Sequence, residues 1–176
     1  VPEIALTPAV AQRFRHIFGD RVALWHSRLT RAERGWTWQQ LKQGKYSVVV
    51  GARSAVFLPL ENLGLIVVDE EQEPSYKQEH PAPRYHARDV ALVRSRNADA
   101  VTLLTSATPS VESYLNGIKK RFILLELKKR YGKSQYPAVK LVDMKVEHKQ
   151  TQDFTQTYSR ELIDELSDCI NRGEQA

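Results

Sequence analysis

One cysteine, Cys169, occurs in 176 residues. A single thiol cannot form an intrachain disulfide framework or a multi-cysteine zinc site, which leaves no zinc ligands of that kind and points to a cytoplasmic protein. Long apolar runs are missing as well. No stretch approaches the roughly 18 residues that cross a bilayer, so no membrane is expected as a partner. A charged-then-apolar leader, internal repeats and low-complexity tracts are also lacking. Strong charge imbalance is absent too: 26 Lys+Arg against 21 Asp+Glu leaves +5, which permits a polyanionic partner without requiring one. What remains is a chain 41% apolar, long enough to bury a core as one domain or one and a fraction.

Punctuation residues divide the chain. Thr7-Pro8 is a helix opening that runs to about Phe18 before Gly19-Asp20. Residues 21–25 read as a strand, and Thr30-x-x-Glu33 is a capping box for a helix ending near Gln43. Ser47–Gly51 and Leu63–Val68 read as buried strands. A polar loop from Glu70 to about Tyr85 leads into a helix from His86 to about Arg96. Ala100–Thr105 is another strand, and Pro109 opens a helix to about Gly117. Strand and helix alternate, which predicts an α/β fold with a mostly parallel sheet. Beyond Lys119, residues 122–127 and 138–143 read as strands, 128–137 as a basic linker and 145–157 as aperiodic. Leu162, Ile163, Leu166 and Ile170 mark an amphipathic helix over 159–172. Trp25, Trp36 and Trp38 read as core and helix-packing residues, and His16 and His148 as solvated. The basic run 119–121 with 128–130 and Lys133 is either a wet face or a strip beside a nucleic-acid path.

The chemistry concentrates at two strand tips. The run Leu63-Gly-Leu-Ile-Val-Val stops in Asp69-Glu70-Glu71, and parallel sheets bind ligands beyond the carboxyl ends of their strands. Paired carboxylates there suit a hydrated magnesium ion and a polarised water. Ser106-Ala-Thr108 ends the strand 100–105 in the same way. The loop from Gln72 to Asp89 interleaves rings with cations: Tyr76, Lys77, His80, Arg84, Tyr85, His86 and Arg88. Such rings either stack on bases, at about 1–3 kcal/mol per base, while the cations follow phosphates, or they pack against the domain.

Asp69-Glu-Glu-Gln72 and Ser106-Ala-Thr108, separated by residues 73–105, resemble motifs II and III of superfamily 2 helicases and translocases. Val1-Pro-Glu-Ile-Ala-Leu-Thr-Pro8, His26-Ser27, Gly51-Ala-Arg-Ser-Ala-Val-Phe57, Ser75-Tyr-Lys-Gln78 and Arg84-Tyr-His-Ala-Arg-Asp89 occur in order around them. Together these are similar to the primosomal, replication-restart DNA helicases of that superfamily, firmly to about residue 145. The resemblance implies a RecA-like P-loop NTPase lobe, truncated at both ends: residues 1–127 a partial first lobe, 128–137 the linker, 138–176 the start of a second. It implies ATP and Mg2+ as cofactors, with Asp69 holding the metal through water and Glu70 activating the attacking water. Gln72, Ser106 and Thr108 become sensing and coupling residues, although the family usually carries His at the place of Gln72. Thr7 and Pro8, and Arg53 and Ser54, fall where the family grips single-stranded backbone. Tyr76, Lys77, Arg84, Tyr85, His86 and Arg88 become DNA-binding loop residues. The implied partners are single-stranded and forked DNA, replication-restart proteins and single-strand-binding proteins, in a bacterial, nucleoid-associated setting.

No Gly-x-x-x-x-Gly-Lys-Ser/Thr cradle occurs in the 176 residues, so the chain alone is expected to hydrolyse no ATP. A strand missing from the middle of the sheet is expected to leave an exposed edge open to pairing. Two other readings stay open at this point: a non-catalytic nucleic-acid-binding or interaction module of the same fold, and a superfamily 2 translocase acting on duplex DNA.

Overall fold

The computed structural model describes residues 8–129 and 138–174, with side chains from residue 12 onward. Two compact units divide near residue 125. The first opens with α1 (Pro8–Phe18), a single 3-10 turn, and β1 (Val22–Trp25). Helix α2 (Arg31–Lys42) starts on the expected capping box: Thr30 Oγ1 accepts from Glu33 N–H at 3.2 Å, and Glu33 accepts from Thr30 N–H at 2.7 Å. Two of the orphan N–H groups at the helix start are satisfied in this way. Strand β2 (Val48–Gly51) then pairs parallel with β1, from Val22↔Val48 to Trp25↔Gly51. Gly51 is required there, because an added Cβ would sit 2.5 Å from Ala55 Cβ and 2.9 Å from Trp25 O. The chain tightens at once into a 3-10 segment, Arg53–Phe57.

Strand β3 (Leu65–Asp69) pairs parallel with β6 (Val101–Thr105), ending on Asp69↔Thr105. Between them lie a 3-10 turn (Pro74–Tyr76), the two-residue antiparallel strands β4 (Lys77–Gln78) and β5 (Tyr85–His86), and α3 (Ala87–Asn97). Helix α3 covers one face of the β3–β6 ladder: Ala87 and Ala91 bury against Val68 and Tyr76, with Ile66 and Leu104 alongside. The other face, Leu65, Val67, Val101 and Leu103, is exposed. Small alanines let α3 lie close to the strands, and each buried aliphatic group contributes about 25 cal/mol per Å² removed from water. A second core gathers Ala23, Leu41 and Leu58 under α2.

Where one mostly parallel sheet was expected, the described strands form two separate parallel pairs, β1–β2 and β3–β6, and the small antiparallel pair β4–β5. What bridges the halves is side-chain bonding. Arg94 on α3 donates to the carbonyls of Val56 and Leu58. Arg53 donates to Ser75 O at 3.1 Å, Lys77 O at 2.9 Å and Gln78 Oε1 at 3.1 Å.

Several sequence expectations are corrected. Helix α4 (Val111–Ile118) is capped by Ser110, whose Oγ accepts from Ser113 N–H, so Pro109 precedes the cap and does not open the helix. Residues 122–127 form no strand, and Ile123 and Leu127 are exposed. Trp36 and Trp38 are exposed on either side of the buried Thr37 of α2, Trp36 edge-on to Tyr46 at 6.2 Å. A long aromatic on a surface helix is tolerated because much of any folded surface is apolar.

In the second unit, residues 138–143 are not a strand. Asp143 instead caps an unexpected helix, α5 (Met144–Thr151), by accepting from Lys145 N–H at 2.9 Å. Ser159 caps α6 (Arg160–Asn171). Glu147 joins the two, accepting from Arg160 N–H at 3.0 Å and Arg160 Nε at 2.9 Å. His148 is not simply solvated: its Nε2 lies 2.8 Å from Gln156 O.

Candidate functional site

Parallel pairing of β3 with β6 brings the two strand tips side by side. Thr105 Oγ1 donates to Asp69 Oδ1 at 2.8 Å, so β6 holds the carboxylate that ends β3. The next residue turns sharply. Glu70 adopts φ +50°, the left-handed region, which costs a residue with a Cβ about 1–2 kcal/mol. Gln72 then bridges both tips: its Nε2 donates to Glu70 Oε2 at 2.8 Å, and its Oε1 accepts from Ser106 Oγ at 2.6 Å. Ser106 Oγ also accepts from Thr108 N–H at 2.9 Å, which fixes the residues after β6. Glu70, Gln72, Ser106 and the Thr108 amide thus fall in one bonded chain, with Asp69 beside it on its own bond from Thr105.

Glu71 escaped the sequence reading as a separate residue. It is 2% exposed and its carboxylate takes four donors: Ser110 N–H at 2.6 Å, Ser113 Oγ at 2.9 Å, Arg88 Nη1 at 3.0 Å and Ser110 Oγ at 3.1 Å. Burial alone would push this carboxyl up; the bonds from Ser110, Arg88 and Ser113 outweigh it and hold the group below the usual carboxylate range. The one signal in the sequence is its place as the third acid in the run Asp69-Glu70-Glu71.

The loop residues separate into two groups. Lys77 and Arg84 are exposed, with Lys77 Nζ 3.1 Å from Glu79. Tyr85 is partly buried, edge-on to Phe57 at 4.9 Å, with the Arg53 guanidinium 5.8 Å above its ring. His86 caps α3 through Nδ1, accepting from Arg88 N–H at 3.3 Å, and burial lowers its pKa. Two expectations are corrected. Tyr76 offers no ring face for stacking: it is 4% exposed and its hydroxyl donates to Asp69 O at 2.7 Å. Burial, then the nearby charges of Asp69, Glu73 and Glu70, raise the phenol pKa further above its ordinary value. Arg88 does not reach outward for phosphate, because its guanidinium is committed to Glu71 and Ser110 Oγ, the latter at 2.8 Å. Both residues were read from composition as ligand groups; they instead pin the loop to the acidic tip.

Arg53 likewise spends its donors on the loop backbone, and Ser54 Oγ accepts from Trp25 Nε1 at 3.0 Å. Pro8 is the first residue of α1, and Thr7 lies outside the described residues.

For a divalent cation, the donor set is hard carboxylate oxygen. One oxygen of Asp69 takes the Thr105 hydroxyl, leaving the other for a metal-bound water. Among the described residues no group of three or more His, Cys, Asp or Glu could cage a metal. Magnesium fits such a site, because it keeps several waters and shares its shell with one carboxylate and phosphate oxygens.

The family comparison gives the class: residues 1–116 match the model for the DEAD/DEAH box helicase, and the chain belongs to that family. Among individual proteins it is similar to replication restart protein PriA of Bacillus subtilis (strain 168), 45% identical over 176 residues, 100% of this chain and 22% of that protein. Replication restart protein PriA of Chlamydia trachomatis is 42% identical over 175 residues, covering 99% and 23%. The PriA of Helicobacter pylori is 39% identical over 179 residues, covering 100% and 26%. The chain therefore spans about a quarter or less of the length of these relatives. No helix among the described residues is long and apolar enough to cross a membrane.

Proposed function

We propose that this chain supplies part of the motor of an ATP-dependent, 3′-to-5′ DNA helicase of replication restart, with residues 1–127 in the first lobe, 128–137 as linker and 138–176 opening the second. The observation that carries the reading is the bonded chain Glu70–Gln72–Ser106 across two strand tips, beside an Asp69 anchored by Thr105.

In this reading Asp69 would hold a hydrated magnesium ion, which when bound would supply positive charge to offset that developing on the transferred phosphoryl group. Glu70 orients the attacking water and accepts its proton. The left-handed turn sets the direction of the Glu70 carboxylate, and Gln72 fixes its rotation through the bond to Oε2. A change in what Glu70 carries then passes through Gln72 to Ser106 and, through the Thr108 amide, toward α4. DNA approaches the exposed cations Lys77 and Arg84, and Tyr85 joins only at its exposed edge. Because Arg53 grips Ser75, Lys77 and Gln78, strand occupancy near 53–57 would displace the loop that carries Tyr76, whose hydroxyl donates to the Asp69 carbonyl at the tip of β3.

The test uses the full-length protein that carries this chain. ATP hydrolysis stimulated by single-stranded DNA is expected in the unaltered protein and abolished in Asp69→Asn and Glu70→Gln; unwinding of substrates with a single 3′ or 5′ tail assigns polarity. Stimulated hydrolysis surviving in both variants would refute the reading.

A further inference from the structure

We infer that Glu71 is a positioning residue for hydrolysis, a buried carboxylate that clamps α3 and α4 to the tip of β3 and so aims the Glu70 side chain. The inference rests on the nucleotide reading of Asp69 and Glu70 given above.

The argument begins from the backbone. Glu70 sits at φ +50°, a conformation a non-glycine residue keeps only when its surroundings impose it. Those surroundings can be named. On the near side, Asp69 is held by the last register pair of the ladder and by Thr105 Oγ1. On the far side, Glu71 N–H donates to Thr105 O at 3.1 Å, extending the ladder past the turn, and Glu73 N–H donates to Glu70 O at 2.9 Å. Backbone bonds alone leave the turn hinged along one edge. The Glu71 side chain supplies the second fixed direction, because its oxygens are bonded to two different helices.

On α4 the partners are Ser110, through both its N–H and hydroxyl, and Ser113, one turn into the helix. On α3 the partner is Arg88, whose side chain is 13% exposed and which also bonds Ser110 Oγ. The three-way junction is closed: Glu71 to Arg88, Arg88 to Ser110, Ser110 to Glu71. Rotation of Glu71 about the strand axis would break all four bonds to its carboxylate and leave the largely buried Arg88 guanidinium with only the exposed Asp89 carboxylate, at 3.2 Å, as its ion partner. The neighbouring Glu70 carboxylate therefore inherits a direction from a residue that touches neither nucleotide nor water. Misplacement by about 1 Å at such a group costs on the order of a hundredfold in rate.

Neutralising Glu71 while keeping its volume tests this in the full-length protein. Glu71→Gln retains one acceptor for Ser110 N–H, but presents an amide donor toward Arg88 and the serine hydroxyls. The expected result is a fall in kcat for DNA-stimulated ATP hydrolysis of about ten- to a hundredfold, with KM for ATP within about twofold, since only the reacting geometry is disturbed. A merely structural brace would change the folded fraction without this split. Glu71→Gln with Arg88→Gln restores a complementary amide pair and is expected to recover at least about fivefold in kcat over Glu71→Gln alone. Retention of more than half of kcat by Glu71→Gln, a loss confined to KM, or no recovery in the double variant overturns the inference. If Glu71→Gln does not fold, the double variant decides alone: kcat within about tenfold of the unaltered protein supports the clamp, and a lower value overturns it. Asp69→Asn run in parallel separates the two readings. Full hydrolysis in Asp69→Asn removes the nucleotide reading itself, whereas its loss beside an unimpaired Glu71→Gln removes only the clamp.

Discussion

Removing the Ser106 hydroxyl cuts the bonded chain that joins the two strand tips, and the size of the effect follows from what that oxygen does. It donates to Gln72 Oε1 at 2.6 Å and accepts from Thr108 N–H at 2.9 Å. Each is a neutral hydrogen bond with a net contribution of about 1 kcal/mol. Gln72 also donates to the Glu70 carboxylate at 2.8 Å; a bond to a charged acceptor contributes about 1.5–3 kcal/mol, and partial exposure of both residues favours the lower figure. If hydrolysis requires the intact chain, Gln72→Ala forfeits about 2.5 kcal/mol, roughly 70-fold in kcat. Ser106→Ala forfeits the Gln72 bond, about fivefold, plus whatever the Thr108 amide contributes. The two losses share one bond, so they do not multiply: the double variant is expected to sit about fivefold above the product of the singles. That corresponds to a coupling of about 1 kcal/mol, against the 0.3–0.5 kcal/mol scatter of independent sites. The assay is single-stranded-DNA-stimulated ATP turnover by the full-length protein, saturated in both ligands, for all four members of the cycle. Losses that multiply to within a factor of two would show that the Gln72–Ser106 bond is a bystander.

Arg94→Met keeps the aliphatic stem but removes the guanidinium bonds to the carbonyls of Val56 and Leu58, of which Leu58 O keeps the Leu60 N–H at 2.9 Å. Two partly buried acceptors at about 1 kcal/mol each predict a loss near 2 kcal/mol, or about 1 M in urea midpoint; a shift below about 0.3 M would show that water replaces the guanidinium. Glu33 is held below the ordinary carboxylate range, first by the Thr30 backbone bond and then by the Thr30 side chain. A lowered carboxyl stabilises the fold above its unfolded pKa and loses that contribution as pH falls through the folded value. Glu33→Gln should therefore lower the urea midpoint at pH 7, by an amount that shrinks as pH falls below the ordinary carboxylate range; an equal deficit at pH 7 and at acid pH refutes the charge argument. The 176-residue chain by itself, lacking the glycine-rich cradle in its sequence, should show no ATP turnover above buffer, and DNA-stimulated turnover by it would sink that expectation.

The elements that sequence resolved are those whose cause is local. Thr30 and Glu33 carry the α2 start between them, and Ser159 does the same for α6. The runs at 48–51, 65–69 and 101–105 are strands because β-branched and leucine residues suit a pleated, half-buried ladder. Residues 122–127 and 138–143 have similar composition and form no strand. A strand has no internal hydrogen bonds, so its existence depends on a neighbour that composition does not name. Helix α5 was missed for the opposite reason: it has little amphipathic pattern, and its start signal is one Asp143 bond to Lys145 N–H.

The site shows the same division. Asp69, Glu70 and Ser106 were legible because a strand tip in a parallel sheet is a position fixed by topology. Tyr76 and Arg88 were misread because residue type does not say which way a side chain turns, and both turn inward to satisfy buried groups, the Asp69 carbonyl and the Glu71 carboxylate. The arginines make the general point. Of the four in the 53–57 turn, the loop and α3 that sequence or structure brings forward, Arg53, Arg88 and Arg94 spend their guanidinium groups holding backbone or a buried acid, and Arg84 is exposed. A planar fork with five donors is as well matched to bracing a split sheet as to gripping phosphate. Basic residues near a proposed DNA path therefore count as DNA ligands only after their internal partners have been subtracted, and here that subtraction leaves Arg84, with Lys77 joining it only by giving up its exposed pair with Glu79.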